Sequence, residues 1–225
     1  MTAGDDRRSA LLLSFVAGFV DTFSFVVLFG LFTAHVTGNF VLIGAAFAGH
    51  GHAGVVGKLL ALPTFVLAIA ATRWLQRRWS DAPAPFVLIQ CVALLAFMAC
   101  GLALGPSIDP DAAATVATGQ LGVAAMAVQN ALSRSAFATL GPTTVMTGNV
   151  TQVTMDLVDR WLAQDGASDD AARIGKMWPP LVSFAAGAVA AGLLGARSGF
   201  VSLLLPAALL AVLWWRLRAG ASMSR

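Results

Sequence analysis

The residues best suited to chemistry are polar groups set inside long apolar stretches. Asp21 lies midway along the apolar run 11–32. An ionised carboxylate at the centre of a membrane helix costs about 2.5–3.5 kcal/mol on insertion scales. Such a group is retained as a proton or cation site, or as a carboxylate hydrogen-bonded between helices. Asn130 and Arg134 stand four apart and so share a helix face. Arg134 is expected to pair with Asp21 or Asp156, or else to snorkel to the cytoplasmic boundary. The tripeptide Thr-Gly-Asn occurs twice, at Thr37, Gly38 and Asn39 and again at Thr147, Gly148 and Asn149. It supplies a hydroxyl, a pliable backbone and an amide that can donate and accept. A helix broken there aims free N–H groups at an anion or free carbonyls at a cation. The bland alternative is a packing notch in which Thr and Asn join helices. Thr143, Thr144, Thr151, Gln152 and Thr154 make the second copy the more polar one.

Other reactive side chains lead nowhere specific. His50 and His52 form a His-x-His pair, but ligation needs further ligands and none is nearby in sequence, so no metal site is expected. His35 adjoins the first tripeptide and titrates near neutral pH in its free form. Cys91 and Cys100 are about 13 Å apart along one helix, too far to bond, and are expected to be buried small residues. The chain has no Gly-x-Ser-x-Gly, His-Glu-x-x-His, phosphate loop or dinucleotide fingerprint. An enzyme is therefore not expected, nor any cofactor.

The elements that must position these groups follow from composition. Of 225 residues, 58% are hydrophobic and only 11% charged. A soluble fold of that size could not cover so much apolar surface, and disorder needs the opposite composition. A net charge of +3 is too small and scattered to indicate nucleic acid. An all-α polytopic transmembrane bundle in a lipid bilayer remains, because in lipid only helices and closed barrels satisfy the backbone. Apolar runs at 11–32, 55–74, 86–104, 112–131, 181–196 and 200–215 give six spans. Stretches 36–48 and 144–158 are also apolar, and charge decides against their crossing. With both termini cytoplasmic, Arg73, Arg77, Arg78, Arg160, Arg173, Lys176, Arg216 and Arg218 all fall inside, as the positive-inside rule requires. Only Lys58 and Arg197 fall outside. Trp74, Trp79, Trp161, Trp178, Trp214 and Trp215 sit near span ends, as interfacial anchors. Residues 159–170 read as a polar cytoplasmic linker.

The tripeptides belong to a longer repeat. Asp21 precedes Asn39 much as Asn130 precedes Asn149, and Gly57-Lys58 before Pro63 matches Gly175-Lys176 before Pro179. The chain, a single membrane domain over 1–225, divides into three-span units at 10–105 and 112–218. Three is odd, so the second unit enters the membrane from the opposite side. That gives inverted repeats with broken or re-entrant segments at the Thr-Gly-Asn motifs, a plan common among secondary transporters. Gly187, Ala188, Ala191, Gly192 and Gly195 form a small-residue surface for close packing within the chain or in a homo-oligomer.

Residues 18–44, GFVDTFSFVVLFGLFTAHVTGNFVLIG, and 129–152, QNALSRSAFATLGPTTVMTGNVTQ, resemble the YoaK-like bacterial integral membrane proteins. The marks are Gly-x-x-Asp in the first span, the paired Thr-Gly-Asn motifs and Gln-Asn-x-x-x-Arg in the fourth. The resemblance covers nearly the whole chain. It implies the membrane topology and a domain of unknown function for which small-molecule transport has been suggested. The expectation is an inner-membrane transporter of a small polar solute or ion, with proton binding at Asp21 as a candidate coupling step. Its site would be lined by Asp21, Thr37, Asn39, Asn130, Arg134, Thr147 and Asn149. The competing expectation is a non-transporting assembly or sensory partner whose polar residues only join helices.

Overall fold

A computed structural model describes residues 3–51, 53–79, 81–105, 108–140, 142–144, 146–162 and 168–223. His52, Val145 and part of the expected 159–170 linker lie outside the described residues. Among the described residues there are helices and no strand: α1 (Ala3–Val27), α2 (Gly38–Phe47), α3 (Val55–Arg78), α4 (Pro83–Ala103), α5 (Ala113–Ser133), α6 (Met146–Leu162), α7 (Ser168–Ser198) and α8 (Leu204–Met223). Short 3-10 turns cover Ala138–Leu140 and Gly199–Leu203. Four stretches are long and apolar enough to cross a bilayer: Arg7–Val27, Val55–Arg78, Pro83–Ala103 and Ile174–Gly220. The last takes in most of both α7 and α8. α5 also has a spanning length, 21 residues, but its Gln120, Gln129 and Asn130 make it less apolar. It lies against α1, α3 and α4, largely buried by protein.

Four expectations need correction. The first apolar run does not stay helical to residue 32. α1 stops at Val27 because Phe29 and Gly30 take left-handed backbone angles, φ 54° and 84°. The Gly30 N–H donates to the Phe25 carbonyl at 2.9 Å, closing the helix end with a 6→1 bond. The fifth helix is far longer than 181–196 and takes in Pro179 and Pro180. The described parts of the expected linker, 159–162 and 168–170, are helical, as the end of α6 and the start of α7. Cys91 is buried as expected, but Cys100 is exposed.

Helix directions can be read from paired residues. α1 and α7 run parallel: the Ser183 hydroxyl donates to the Leu11 carbonyl at 2.7 Å, Gly187 lies against Phe15, and Gly195 meets Phe23. A side chain at Gly18 would strike the Phe184 carbonyl, and one at Gly187 the Phe15 carbonyl. Glycine at both positions lets the two backbones touch. α3 and α5 also run parallel, joined by Gln120 to the Gly57 carbonyl at 3.0 Å and Gln76 to the Ser135 hydroxyl at 2.9 Å. α1 and α5 run antiparallel, since Gln129 reaches Leu13 while Gly119 faces Leu31 and Leu28. α4 and α8 are antiparallel too, with Gly101 under the Phe200 ring and the Cys91 thiol donating to the Ala207 carbonyl. Phe23, Phe97 and Phe200 meet edge-to-face with centroids 5.3–6.0 Å apart, filling the core where α1 ends. The outer surface exposes Phe40, Val41, Phe47, Leu67, Trp74, Trp161, Val189 and Trp215. Lipid is the solvent such a surface needs.

Candidate functional site

After α1 ends, the chain folds back beside it. Residues 33–35 return to the level of Asp21, which is 3% exposed. Asp21 Oδ1 accepts from the N–H groups of Thr33 at 2.8 Å and Ala34 at 2.7 Å, with longer contacts from the His35 N–H and the Thr33 hydroxyl. Oδ2 lies 2.6 Å from His35 Nδ1, a length typical of a charge-assisted contact. The carboxylate is thus the anchor around which the returning chain is wound. His35 is about a third exposed and stands edge-on to Phe32 and Phe184. Among the described residues its Nε2 has no hydrogen-bond partner.

The two asparagines of the repeat do the same work. Asn39 accepts from the Phe32 N–H at 3.0 Å and donates to the Phe32 carbonyl at 2.8 Å, clasping one residue from both sides. Asn149 donates to the Pro142 carbonyl at 3.1 Å, again seven residues back. Proline has no N–H, so the second bond is missing there. Asn130 completes the parallel with Asp21: its Oδ1 accepts from the Thr144 hydroxyl at 2.7 Å, holding the chain that follows α5. Its Nδ2 bonds the Met126 carbonyl. Thr33 and Thr143 are both fully buried at matching places in the two folded-back segments.

The structure gathers the expected site residues into two groups. Asp21 and Asn39 serve the chain after α1, and Asn130 and Asn149 the chain after α5. Gln129 is level with Leu13, so Asn130 lies about 12 Å from Asp21 along the bundle at 1.5 Å per residue. Thr37 and Thr147 are exposed at the starts of α2 and α6. Arg134 is exposed at the end of α5; the ion partner of Asp21 is His35, and Arg73 pairs with Asp81. Gln152 donates to Asp156 at 2.7 Å.

Sequence reading missed two sets of residues. Lys58, expected in an outer loop, is 2% exposed within α3. Its ammonium donates to the carbonyls of Phe29 at 2.8 Å and Ala53 at 2.6 Å, with Gly54 further off, tying the end of α1 to the start of α3. The second set is a buried amide chain. Gln129 donates to the Leu13 carbonyl at 2.8 Å and the Thr143 hydroxyl at 3.2 Å, and accepts from Gln90 at 2.8 Å. Among the described residues, Gln90 Oε1 and the Ser14 hydroxyl are buried without a partner, as is Gln120 Oε1 nearer the other end. Each such orphan costs about 1–3 kcal/mol, so its retention asks for a reason. A lone glutamine inside the apolar run 86–104 was the available signal.

A family profile described as "Protein of unknown function (DUF1275)" matches residues 9–215. The "UPF0700 transmembrane protein YoaK" of Bacillus subtilis (strain 168) is 32% identical over 99 residues, 44% of this chain and 44% of that protein. The aligned region thus spans less than half the length of that curated relative. No solved structure matches. The buried polar ties, the lipid-suited surface and a family match over nearly the whole sequence agree: the chain is a multi-pass, all-helical membrane protein and belongs to the family of unknown function DUF1275.

Proposed function

We propose that the protein is a bacterial inner-membrane transporter of a small polar solute or ion, built from two inverted three-span halves with both termini cytoplasmic. The observation that carries this reading is the pair of folded-back segments. Each follows the first helix of a half, each is held by a polar residue of that helix, and each is tied by a Thr-Gly-Asn asparagine to the residue seven before it. The antiparallel course of α1 and α5 supports inversion, as does the exchange by which α1 packs beside α7 and α5 beside α3. Inverted repeats with interrupted helices are the architecture of many secondary transporters. In this arrangement the Asp21 group faces the outer leaflet and the Asn130 group the inner one, so each half contributes one mouth. Rocking of the halves at the close α1–α7 contact, where Gly18 and Gly187 let the backbones touch, then opens one mouth as the other closes.

A second reading has its own support. Asp21 and Asn39 are satisfied by nearby segments of the chain, as groups that only join helices would be. Reconstitution separates the two. Purified protein in proteoliposomes is offered a panel of radiolabelled cations, anions, amino acids and neutral solutes. The transporter reading expects saturable uptake of at least one, reduced at least tenfold by Asp21→Asn. Absence of uptake for every class, with an unrelated membrane protein co-purifying, selects the assembly reading.

A further inference from the structure

Asp21 and His35 share one proton. Asp21 Oδ1 is occupied by the Thr33 and Ala34 N–H groups at 2.8 and 2.7 Å, bonds that favour the ionised carboxylate. Oδ2 lies 2.6 Å from His35 Nδ1, so one hydrogen fills that contact, whichever of the two atoms it is bonded to. The next proton to reach the pair has one place left, His35 Nε2. Without it the pair carries a single negative charge and Nε2 offers a lone pair. With it the pair is neutral and Nε2 is a donor.

The surroundings leave that atom open. The imidazole side chain is 32% exposed and that of Asp21 only 5%, so the ring is the route by which the pair meets anything outside the fold. Nε2 has no hydrogen-bond partner among the described residues, and it is not one of the unpartnered atoms sealed inside the protein. Phe32 on its own segment and Phe184 on α7 stand edge-on to the ring. The charged group that bears on it is Asp21 of α1. The next charged residue on α1 is Arg8, and on α7 they are Lys176 and Arg197, each about 12 Å or more along its helix from Asp21 or Phe184. α2 has none.

We propose that this pair is a proton-binding site, loaded and unloaded at His35 Nε2, with Asp21 as the positioning residue that holds the ring and offsets its charge. A proton from water adds to the Nε2 lone pair and leaves by the same atom, with nothing oxidised or reduced. The atom that exchanges protons is therefore the histidine nitrogen and not an oxygen of Asp21, because those oxygens are already engaged. Loading also removes the net charge, which is the costly feature of a carboxylate at membrane depth. The site rests on this geometry; its use as the coupling step rests on the transporter reading.

The chain has three histidines, so His50→Gln with His52→Gln leaves His35 as the sole imidazole. Nitrogen-15 NMR of that protein in lipid nanodiscs reports its ring nitrogens as the buffer is varied between about pH 4 and 9. Expected is a reversible one-proton titration seen chiefly at Nε2, with proton affinity weakened at least tenfold by Asp21→Asn. A ring that does not titrate overturns the proposal without recourse to any change at Asp21, and an unchanged midpoint in Asp21→Asn overturns the positioning role. Coupling is tested separately in proteoliposomes. For any solute of the panel that is taken up, an imposed proton gradient should change the initial rate at least fivefold, and in His35→Gln the gradient should change nothing. A titrating His35 with uptake indifferent to the gradient refutes the coupling role and leaves the transporter reading intact. A titrating His35 with no uptake of any solute upholds the proton site and refutes the transporter reading.

Discussion

The contact between Asp21 and His35 can be isolated by a double-mutant cycle. Asp21→Asn keeps an acceptor for the Thr33 and Ala34 N–H groups but removes the charge that strengthens those bonds and the 2.6 Å contact to His35. Hydrogen bonds to charged groups contribute about 1.5–3 kcal/mol and neutral ones about 0.5–1.5. The loss is then about 2 kcal/mol at His35 and somewhat under 1 kcal/mol at each N–H, or about 3–4 kcal/mol in all. Total stabilities run at about 5–15 kcal/mol, so the variant should survive, weakened. His35→Ala should cost about 2 kcal/mol, since it removes the same contact from the other side. The double variant should be no worse than Asp21→Asn alone, giving a coupling of about 2 kcal/mol. Unfolding in mixed SDS micelles, followed through the six tryptophans, supplies the readout. Losses that add to within about 0.5 kcal/mol would show that the two side chains act independently, and the anchor role argued for Asp21 would fail with them.

Four further outcomes follow from the packing and the ties. Asn39→Ala breaks two bonds to Phe32 and should cost about 2–3 kcal/mol, against about 1 kcal/mol for Asn149→Ala, in the same unfolding assay; equal losses would contradict the geometry. Gly187→Val should force α1 and α7 apart and cost about 3 kcal/mol or more, while Gly192→Ala, which meets nothing within 4 Å, should be neutral in thermal aggregation assays. In detergent, a maleimide should label exposed Cys100 at once and buried Cys91 only after denaturation, as read by mass spectrometry. For orientation, Arg77→Cys and Asp109→Cys, each placed in a cysteine-free background, should react with a membrane-impermeant thiol reagent from opposite sides, Arg77→Cys only once the cytoplasmic face is opened; labelling of both from one side would overturn the proposed orientation.

Much of the helical content was legible because apolar runs of spanning length can do little else in lipid. The interval from Asp21 to Asn39 was legible as well, since it recurs from Asn130 to Asn149. The fold-back after Val27 was not. Residues 25–32 are apolar almost throughout, and hydropathy is blind to the left-handed turn at Phe29 and Gly30 that reverses the chain. Lys58 was misplaced for a related reason: a lysine near a span end reads as a loop residue until three carbonyls are known to converge on it. The amide chain through Gln90 escaped notice because one glutamine barely alters the mean of a long apolar window, yet it bonds Gln129, which in turn ties Leu13 and Thr143. Asp21 was recognised as a buried carboxylate, but its partner is the neighbouring histidine rather than a distant arginine, because a returning loop brings His35 closer than any helix could.

Pro142 gives the two halves unequal locks. Where Phe32 is gripped by both its amide hydrogen and its oxygen, Pro142 offers the oxygen alone, and no side chain at position 149 can supply the missing donor. The α1 side also has the ammonium of Lys58 bolting it shut, whereas its counterpart Lys176 is exposed. A duplicated plan therefore does not yield two equal fastenings: the latch behind α5 is the looser one and should release first, which for the proposed transporter means a bias at rest toward the compartment that latch faces.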